Sequence, residues 1–224
     1  MSLKVIITGA TGMVGKGVLL ECLDHPGIEK VLTIGRTELD MSHPKLSELI
    51  HKDFSDYSNL EADLTGYDAC YLCMGVSASG LSDEKYYELT YGYTLALAKV
   101  LYKLNPGMTC TYVSGEGTDS TESGRSMWAR VKGKTENDLL AVGFKKAFMF
   151  RPGAIIPLRG IKSKTKAYQF GYDYFMWLIK LIKWLAPNAV VNTTQIGLAM
   201  IHATIEGAEK NILRPKDIIK LSEI

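Results

Sequence analysis

The sequence predicts an α/β fold of the Rossmann-like type, in which a doubly wound parallel sheet lies between two helical layers and a short C-terminal extension follows. Three observations predict it. Short apolar runs alternate with longer amphipathic runs, a glycine-rich turn follows the first apolar run, and 46% of the 224 residues are hydrophobic. Strand and helix in alternation imply right-handed crossovers and a parallel sheet that is covered on both faces.

The elements follow one another in a regular order. Apolar runs predict six strands, at residues 4–8, 30–34, 49–53, 68–74, 108–113 and 147–150. Apolar residues three or four positions apart predict helices at residues 15–23, 83–104 and 127–140. Asn105-Pro106-Gly107 is typical of a helix end. The nearly continuous apolar character of the strands agrees with burial on both faces of the sheet.

Charge and composition argue against several classes of partner. The net charge of +2 is too small to predict nucleic acid or an anionic membrane as the main partner. The sequence contains no uncharged apolar run of about 18 residues, the length that indicates a membrane span. No basic flank or small-residue cleavage site precedes the first predicted strand. We therefore expect a cytoplasmic protein with a small-molecule substrate and no metal.

Cys70 and Cys73 form a C-x-x-C pair, which in some proteins indicates redox chemistry. Redox pairs of this kind open a helix, whereas this pair lies within a predicted strand. Buried free cysteine behaves as a small hydrophobic residue. We therefore interpret both residues as structural.

The glycine-rich turn, Thr8 to Gly15, lies where the first strand meets the first helix. Gly9 permits a tight turn, Gly12 lets the backbone approach a pyrophosphate, and Gly15 lets the helix pack closely on the sheet. Backbone N–H groups at the helix start, aided by the helix dipole, favour phosphate charge. The sequence therefore predicts a dinucleotide site, and we expect Thr11, Met13 and Val14 to belong to it.

The G-x-x-G-x-x-G spacing resembles the short-chain dehydrogenase/reductase superfamily, in its extended and atypical branch of nucleoside-diphosphate-sugar epimerase-like proteins. The resemblance runs from Lys4 to about Ile156. Further matching residues are Asp53-Phe54, Cys73-Met74-Gly75, Ser114, Lys132 and Arg151-Pro152-Gly153. The resemblance implies that all of these except Ser114 bind the cofactor. It also implies that Asp53 accepts a hydrogen bond from the adenine amino group, with the Phe54 backbone nearby.

The second strand ends Thr33-Ile34-Gly35-Arg36, where an acidic residue normally holds the adenosine ribose. An arginine cannot accept a hydrogen bond from a hydroxyl, but it can neutralise a 2′-phosphate. We therefore predict NADP(H) as the cofactor. NAD(H) remains open, since Glu38 and Asp40 are close along the chain.

Catalysis in the superfamily uses a tyrosine four residues before a lysine, together with a serine that orients the substrate oxygen. Lys132 and Ser114 match, and the resemblance implies that both are catalytic. Trp128 stands in the tyrosine position, and an indole N–H does not titrate usefully. Either catalysis has been lost with cofactor binding retained, or another group supplies the proton; the candidates are Tyr91, Tyr93, Tyr112 and Glu116.

These features predict an NADP(H)-dependent oxidoreductase or epimerase-like enzyme, with a non-catalytic dinucleotide-binding sensor or scaffold as the alternative. We expect residues 1–156 to form the NAD(P)-binding domain and residues 157–224 to complete it and cover the substrate side. Residues 167–185 are rich in aromatic side chains. They are open to interpretation as a substrate-pocket lid, a homodimer contact or a membrane-surface segment.

Overall fold

The computed structural model describes residues 2–161 and 189–224. Its main sheet has seven parallel strands in the order β3-β2-β1-β4-β5-β6-β9, so the predicted Rossmann-like fold class is confirmed. The strands of this sheet are β1 (Leu3–Thr8), β2 (Ile28–Gly35), β3 (Leu46–Ile50), β4 (Ala69–Leu72), β5 (Thr109–Val113), β6 (Lys146–Phe150) and β9 (Ile212–Leu213). Strands β7 (Ala154–Ile156) and β8 (Val190–Asn192) form a separate parallel pair.

Helices cover both faces of the sheet. In the described residues they are α1 (Met13–Asp24), α2 (Glu61–Leu64), α3 (Asp83–Tyr87), α4 (Tyr93–Leu104), α5 (Met127–Ala141), α6 (Thr193–Ile205) and α7 (Pro215–Ser222). One apolar core lies between the sheet and α1, α6 and α7, and the other lies between the sheet and α4 and α5. Each face of the central strands therefore packs against a helical layer, which explains their apolar sequence.

Two predicted elements have different bounds in the structure. The third strand lies at Leu46–Ile50 and not at residues 49–53, because Ile50 pairs with Gly35 at the end of β2 and the chain then turns away. The predicted helix at residues 83–104 is interrupted by a wide π-type turn, Glu88–Gly92, between α3 and α4. Such turns insert one extra residue into a helix and occur mostly as single turns.

Residues 189–224 contribute to the main fold. Strand β9 adds the seventh strand beside β6, and α6 packs along α1. The two helices approach closely at Gly17, where an added Cβ atom would lie 2.6 Å from the Thr193 Cβ. The absence of a side chain at Gly17 therefore permits the α1–α6 contact. Helix α6 begins with a capping box, in which Asn192 and Gln195 exchange side-chain and backbone hydrogen bonds. The described part of the expected extension therefore supplies strands β8 and β9 and helices α6 and α7, while residues 167–185 lie outside the described residues.

The C-x-x-C pair spans the two faces of the sheet. Cys70 belongs to the core beneath α4 and α5, whereas Cys73 packs against the core beneath α1 and α6. All four cysteines are free thiols in the structure. Of the helices described above, none is long and apolar enough to cross a bilayer.

Candidate functional site

The glycine turn forms a close-packed cradle at the carboxyl edge of the sheet. Gly9 has φ +72°, and a Cβ atom there would lie 2.6 Å from the Cys73 backbone oxygen. A Cβ atom on Gly15 would lie 2.2 Å from the Gly9 backbone oxygen. Gly12 is exposed at the start of α1, and no side chain caps that helix. The first N–H groups of α1 are thus open to an anionic ligand, as the sequence predicts.

A small concavity lies beside this cradle, and we call it the β2 pocket. It is lined by Ala10 and Thr11 of the turn, Thr33 and Gly35 of β2, and Glu48 and Ile50 of β3. The exposed side chain of Arg36 follows β2 at once, so it lies at the same edge. In doubly wound sheets, the ligand binds in the crevice at the carboxyl ends of the strands. The pocket therefore lies where the adenosine end of a dinucleotide would approach the sheet.

Asp53 and Phe54 follow β3 in a short turn. One Asp53 carboxylate oxygen accepts hydrogen bonds from the Ser55 hydroxyl and, at 3.0 Å, from the Ser55 backbone N–H. These bonds lower the pKa of the exposed Asp53 carboxyl below its usual value. Phe54 is buried against the rings of His51, Tyr57 and Tyr93. Asp53 is therefore ionised and held in place, as an acceptor for an adenine amino group requires.

Cys73, Met74 and Gly75 follow β4, directly next to Gly9 in space. Burial raises the pKa of the Cys73 thiol to about 12, so this cysteine is not a nucleophile at neutral pH. Cys73 and Met74 are half-buried and Gly75 is exposed. Cys73 and Met74 border the cradle through their backbone, because a Cβ atom on Gly9 would meet the Cys73 carbonyl and the Met74 backbone nitrogen.

Lys132, Ser114 and Arg151 meet in a buried network around Glu136. The Lys132 ammonium donates to the Ser114 backbone oxygen at the end of β5. The Ser114 hydroxyl donates to the Glu136 carboxylate, and the Arg151 guanidinium also donates to it through Nε, at 3.0 Å, and Nη2. Glu136 has no exposed surface, and Arg151 is 6% exposed. The side chains of two predicted site residues, Ser114 and Arg151, therefore point into the protein and contact Glu136.

Burial lowers the pKa of Lys132 to about 8, and the nearby Glu136 carboxylate opposes that shift. A lysine with such a pKa is partly deprotonated just above neutral pH, which suits proton exchange. Its ammonium lies beside Ser114, the first residue after β5. The structure thus places Lys132 at the carboxyl edge of the sheet.

Trp128 lies one turn before Lys132 on α5 and packs against the loop after β5. A Cβ atom on Gly117 would lie 3.2 Å from the Trp128 Cη2. That loop is tethered, although its glycines predict flexibility: the Glu116 N–H donates to the Pro152 oxygen at 2.9 Å, and the Glu116 carboxylate pairs with Arg214. The tryptophan ring therefore lies against the loop that follows β5, one helical turn before Lys132.

The alternative proton sources have partners of their own. The Tyr91 hydroxyl donates to Asp138 at 2.6 Å, and the Tyr93 hydroxyl donates to Glu88 at 3.0 Å. Tyr112 is 1% exposed in the core beneath α4 and α5, and burial raises its pKa. Glu116 forms the ion pair with Arg214 at 3.1 Å. Among the described residues, Lys132 is the better placed group.

Pro152 and Gly153 follow Arg151 and bring the chain to β7. A Cβ atom on Gly153 would lie 2.7 Å from the Ala189 backbone oxygen, so this glycine permits the approach of residue 189. Pro152 is buried. The role of the two residues in cofactor binding stays a prediction, as do the roles of the other site residues.

Glu136 is the important residue that the sequence prediction omits. It lies four positions after Lys132, and this spacing places the two side chains on one face of a helix. An acid between the buried positions Thr135 and Leu139 is a signal that could have indicated it. Its partners Ser114 and Arg151 are distant along the chain, so no local pattern identifies them.

Comparison with known proteins identifies a family profile and several fungal proteins to which the chain is similar. The profile of the NAD dependent epimerase/dehydratase family matches residues 5–125, just over half of the chain. Protein FMP52, mitochondrial, of Candida albicans is 26% identical over 231 residues, with 98% of each chain covered. Other fungal relatives are also named as mitochondrial proteins. The expected cytoplasmic location is therefore wrong on the evidence of these relatives.

Solved structures show the same fold at low sequence identity. An oxidoreductase of the short-chain dehydrogenase/reductase family from Burkholderia thailandensis has a TM-score of 0.71 at 15% identity, with 98% of this chain and 93% of that chain covered. The Bordetella bronchiseptica enzyme WbmF, in complex with NAD+ and UDP, has a TM-score of 0.70 at 15% identity, with 99% of this chain and 77% of that chain covered.

Proposed function

The chain belongs to the NAD dependent epimerase/dehydratase family, within the short-chain dehydrogenase/reductase superfamily, and from that premise we propose that it binds NADP(H) and acts as an oxidoreductase on a small carbonyl or hydroxyl substrate. The observation that carries the proposal is the position of Lys132, whose half-buried side chain reaches the end of β5 with its ammonium. The glycine cradle lies at this same edge of the sheet.

The residues present fit a dinucleotide. The cradle of Gly9, Gly12 and Gly15 leaves the first N–H groups of α1 free for a pyrophosphate. The lining of the β2 pocket and Asp53 would border the adenosine, and the Arg36 guanidinium would neutralise a 2′-phosphate. Lys132 would hold the nicotinamide ribose, as the resemblance implies.

A bound reduced nicotinamide would supply a hydride to a carbonyl carbon. Lys132 would then donate a proton to the carbonyl oxygen, directly or through the ribose, because its ammonium reaches the end of β5 and its pKa is about 8. Trp128 would exclude water from that position, since its ring packs on the Gly117 loop. The buried Glu136 carboxylate would hold Ser114, and with it the end of β5, in a fixed position relative to α5.

Two measurements on the purified chain test the proposal. Thermal unfolding with NADP+ should show a midpoint that rises with the cofactor concentration, because a ligand that binds only the folded state stabilises it by mass action. NADPH oxidation should then be followed with a panel of carbonyl compounds and sugar nucleotides. Lys132→Met should abolish that oxidation. An unchanged midpoint at millimolar cofactor would contradict the binding proposal.

A second function, cofactor sensing without turnover, is favoured by Trp128. The indole cannot replace a phenol in proton transfer, and Ser114 is committed to Glu136. A midpoint shift with NADP+ together with no NADPH oxidation across the panel would favour this function. Trp128→Tyr provides the discriminating variant, because it places a phenol four residues before Lys132. Activity gained by that variant would show that the tryptophan blocks catalysis.

A further inference from the structure

Glu48 supplies the charge inside the β2 pocket. Of the described residues that line this pocket, it is the one with an ionisable side chain. It lies on the edge strand β3, in register with Thr33 of β2, and its side chain is exposed. In dinucleotide-binding folds, the acidic residue that holds the adenosine ribose normally lies at the end of β2. In this chain Arg36 occupies that position. The structure thus brings an acid to the β2 pocket from a different strand, β3.

The Glu48 carboxylate is oriented by the loop that carries Arg36. Its Oε2 accepts a hydrogen bond from the Leu39 backbone N–H at 2.8 Å, which ties the loop after β2 to β3. One carboxylate oxygen is thereby engaged, and Oε1 retains its capacity as an acceptor. Arg36, three residues before Leu39, contributes the opposite charge at the same edge. Two charges of opposite sign therefore flank the place proposed for the ribose.

We propose that Glu48 is a specificity-determining residue that opposes Arg36 in the choice of cofactor. Its carboxylate accepts a hydrogen bond from the ribose 2′-hydroxyl of NAD(H) and repels the 2′-phosphate of NADP(H). Arg36 acts in the other direction, because it attracts the phosphate and offers no acceptor to a hydroxyl. The chain consequently binds both dinucleotides. Its preference for NADP(H) over NAD(H) is smaller than the preference that Arg36 alone would give. This inference rests on the proposed dinucleotide site.

Glu48→Gln in the full chain separates the charge from the packing. Glutamine has the same shape, and its side-chain oxygen still accepts from the Leu39 N–H, so the loop is retained. We expect the Kd for NADP+ to fall about five-fold, because removal of a nearby like charge at a solvent-exposed site changes binding by this order. We expect the Kd for NAD+ to rise about two-fold, because a neutral acceptor forms a weaker hydrogen bond than a carboxylate. Calorimetric titration with NADP+ and NAD+ measures both constants.

Glu38→Gln is the matched control. Glu38 is exposed in the same loop and carries the same charge, but it does not line the β2 pocket. Its removal should leave the ratio of the two Kd values within about two-fold, because a charge outside the pocket is screened by solvent. Glu48→Ala, which also removes the Leu39 hydrogen bond, should shift the ratio in the same direction as Glu48→Gln.

The outcomes are distinct. If both nucleotides bind and the ratio of Kd values is the same in the parent chain and in Glu48→Gln, the role of Glu48 is refuted while the dinucleotide site stands. An equal shift in Glu38→Gln would also refute it, since the effect would then come from general charge. If neither nucleotide binds the parent chain, the proposed function itself fails.

Discussion

Glu136 illustrates how one buried charge sets the environment of the site residues. Its carboxylate accepts from Arg151 and Ser114, and it lies one turn from Lys132 on α5. Withdrawal of a charge from water is costly, and the cost is offset only while the partners are present. The arrangement fixes the carboxyl ends of β5 and β6 relative to α5. Removal of either partner of Glu136, Arg151 or Ser114, should therefore lower the free energy of unfolding.

Arg151→Met should lower the free energy of unfolding by about 3–5 kcal/mol, because it leaves Glu136 buried without its cationic partner. Lys134→Met on the same helix is the control. Lys134 pairs with Asp138 at 3.0 Å on an exposed face, where such pairs contribute about 0.3–0.5 kcal/mol. Urea unfolding of both variants measures the difference. Equal losses of unfolding free energy in the two variants would show that the buried Arg151–Glu136 pair contributes no more to stability than the Lys134–Asp138 pair.

Lys132 should give a pH dependence of stability with a defined sign. Its pKa of about 8 lies below the usual value of 10.5, so the unfolded chain binds more protons between those values. Stability that depends on Lys132 must therefore rise with pH from about 8 to 10.5. The difference in Tm between the parent chain and Lys132→Met should grow across that window in favour of the parent. A difference that is constant with pH would contradict the low pKa.

The residue types at the site are predictable from the sequence, but their orientations are not. The glycine spacing predicts the cradle because each glycine solves a local steric problem. Ser114 could not be predicted to donate to Glu136, since that bond joins residues 22 positions apart. Glu48 could not be assigned to the β2 pocket for a similar reason. Its place depends on the register between β2 and β3, and the predicted third strand began three residues too late.

Helix α5 depends on a close contact with the loop that precedes it. A Cβ atom on Gly133 would lie 1.7 Å from the Asp119 backbone oxygen, so this part of α5 accommodates only glycine while the loop keeps its place. Asn137 on the same helix donates to the Ser120 backbone oxygen at 3.0 Å. The loop and helix thus form one unit that holds Ser120 close to Arg151.

Gly133→Ala should destabilise the protein by about 1–3 kcal/mol, because the added methyl group forces the loop away from α5. Gly92→Ala is the matched control, since it also lies in a helical segment but has no atom within 4 Å of the added Cβ. That substitution should stabilise the protein by about 0.5–1 kcal/mol through the lower entropy of the unfolded chain. Thermal unfolding distinguishes the two. A similar response of both variants would refute the steric argument.

Periodicity predicted most of the continuous strands and helices well and missed the shortest strand. Strands β1, β4, β5 and β6 and helices α1 and α5 lie within a few residues of their predicted bounds, because each is a continuous apolar or amphipathic run. Strand β9 has only two residues and carries no pattern of its own. It exists because β6 offers an unpaired edge: the Met149 N–H donates to the Asn211 oxygen at 2.7 Å.

At the scale of the whole molecule, the C-terminal residues complete one of the two cores. Ile196, Met200 and Ile201 of α6 have no exposed surface and belong to the same core as Val18 and Leu19 of α1. A chain that ends at residue 156 would expose this face of the sheet to water. The glycine cradle at the start of α1 would lose the layer that supports it.

A fragment of residues 1–156 should therefore fail to unfold cooperatively, because loss of α6 exposes a large apolar area. Urea unfolding followed by circular dichroism tests this against the full chain. The full chain with Ile224→Ala serves as control, since that residue is 70% exposed. Cooperative unfolding of the fragment would instead support an independent domain at residues 1–156.

The pairing of β7 with β8 has a consequence for protein engineering. Ile156 lies beside Asn192 in the register of these strands, so the two ends of the stretch that joins β7 to β8 are neighbours in space. A stretch of sequence inserted between two such points can be exchanged with little change to the strands on either side. Residues 162–188 could thus be replaced by the equivalent stretch of a fungal relative. Activity measurements on such chimeras would test whether this stretch carries substrate preference, because the glycine cradle and Lys132 stay constant.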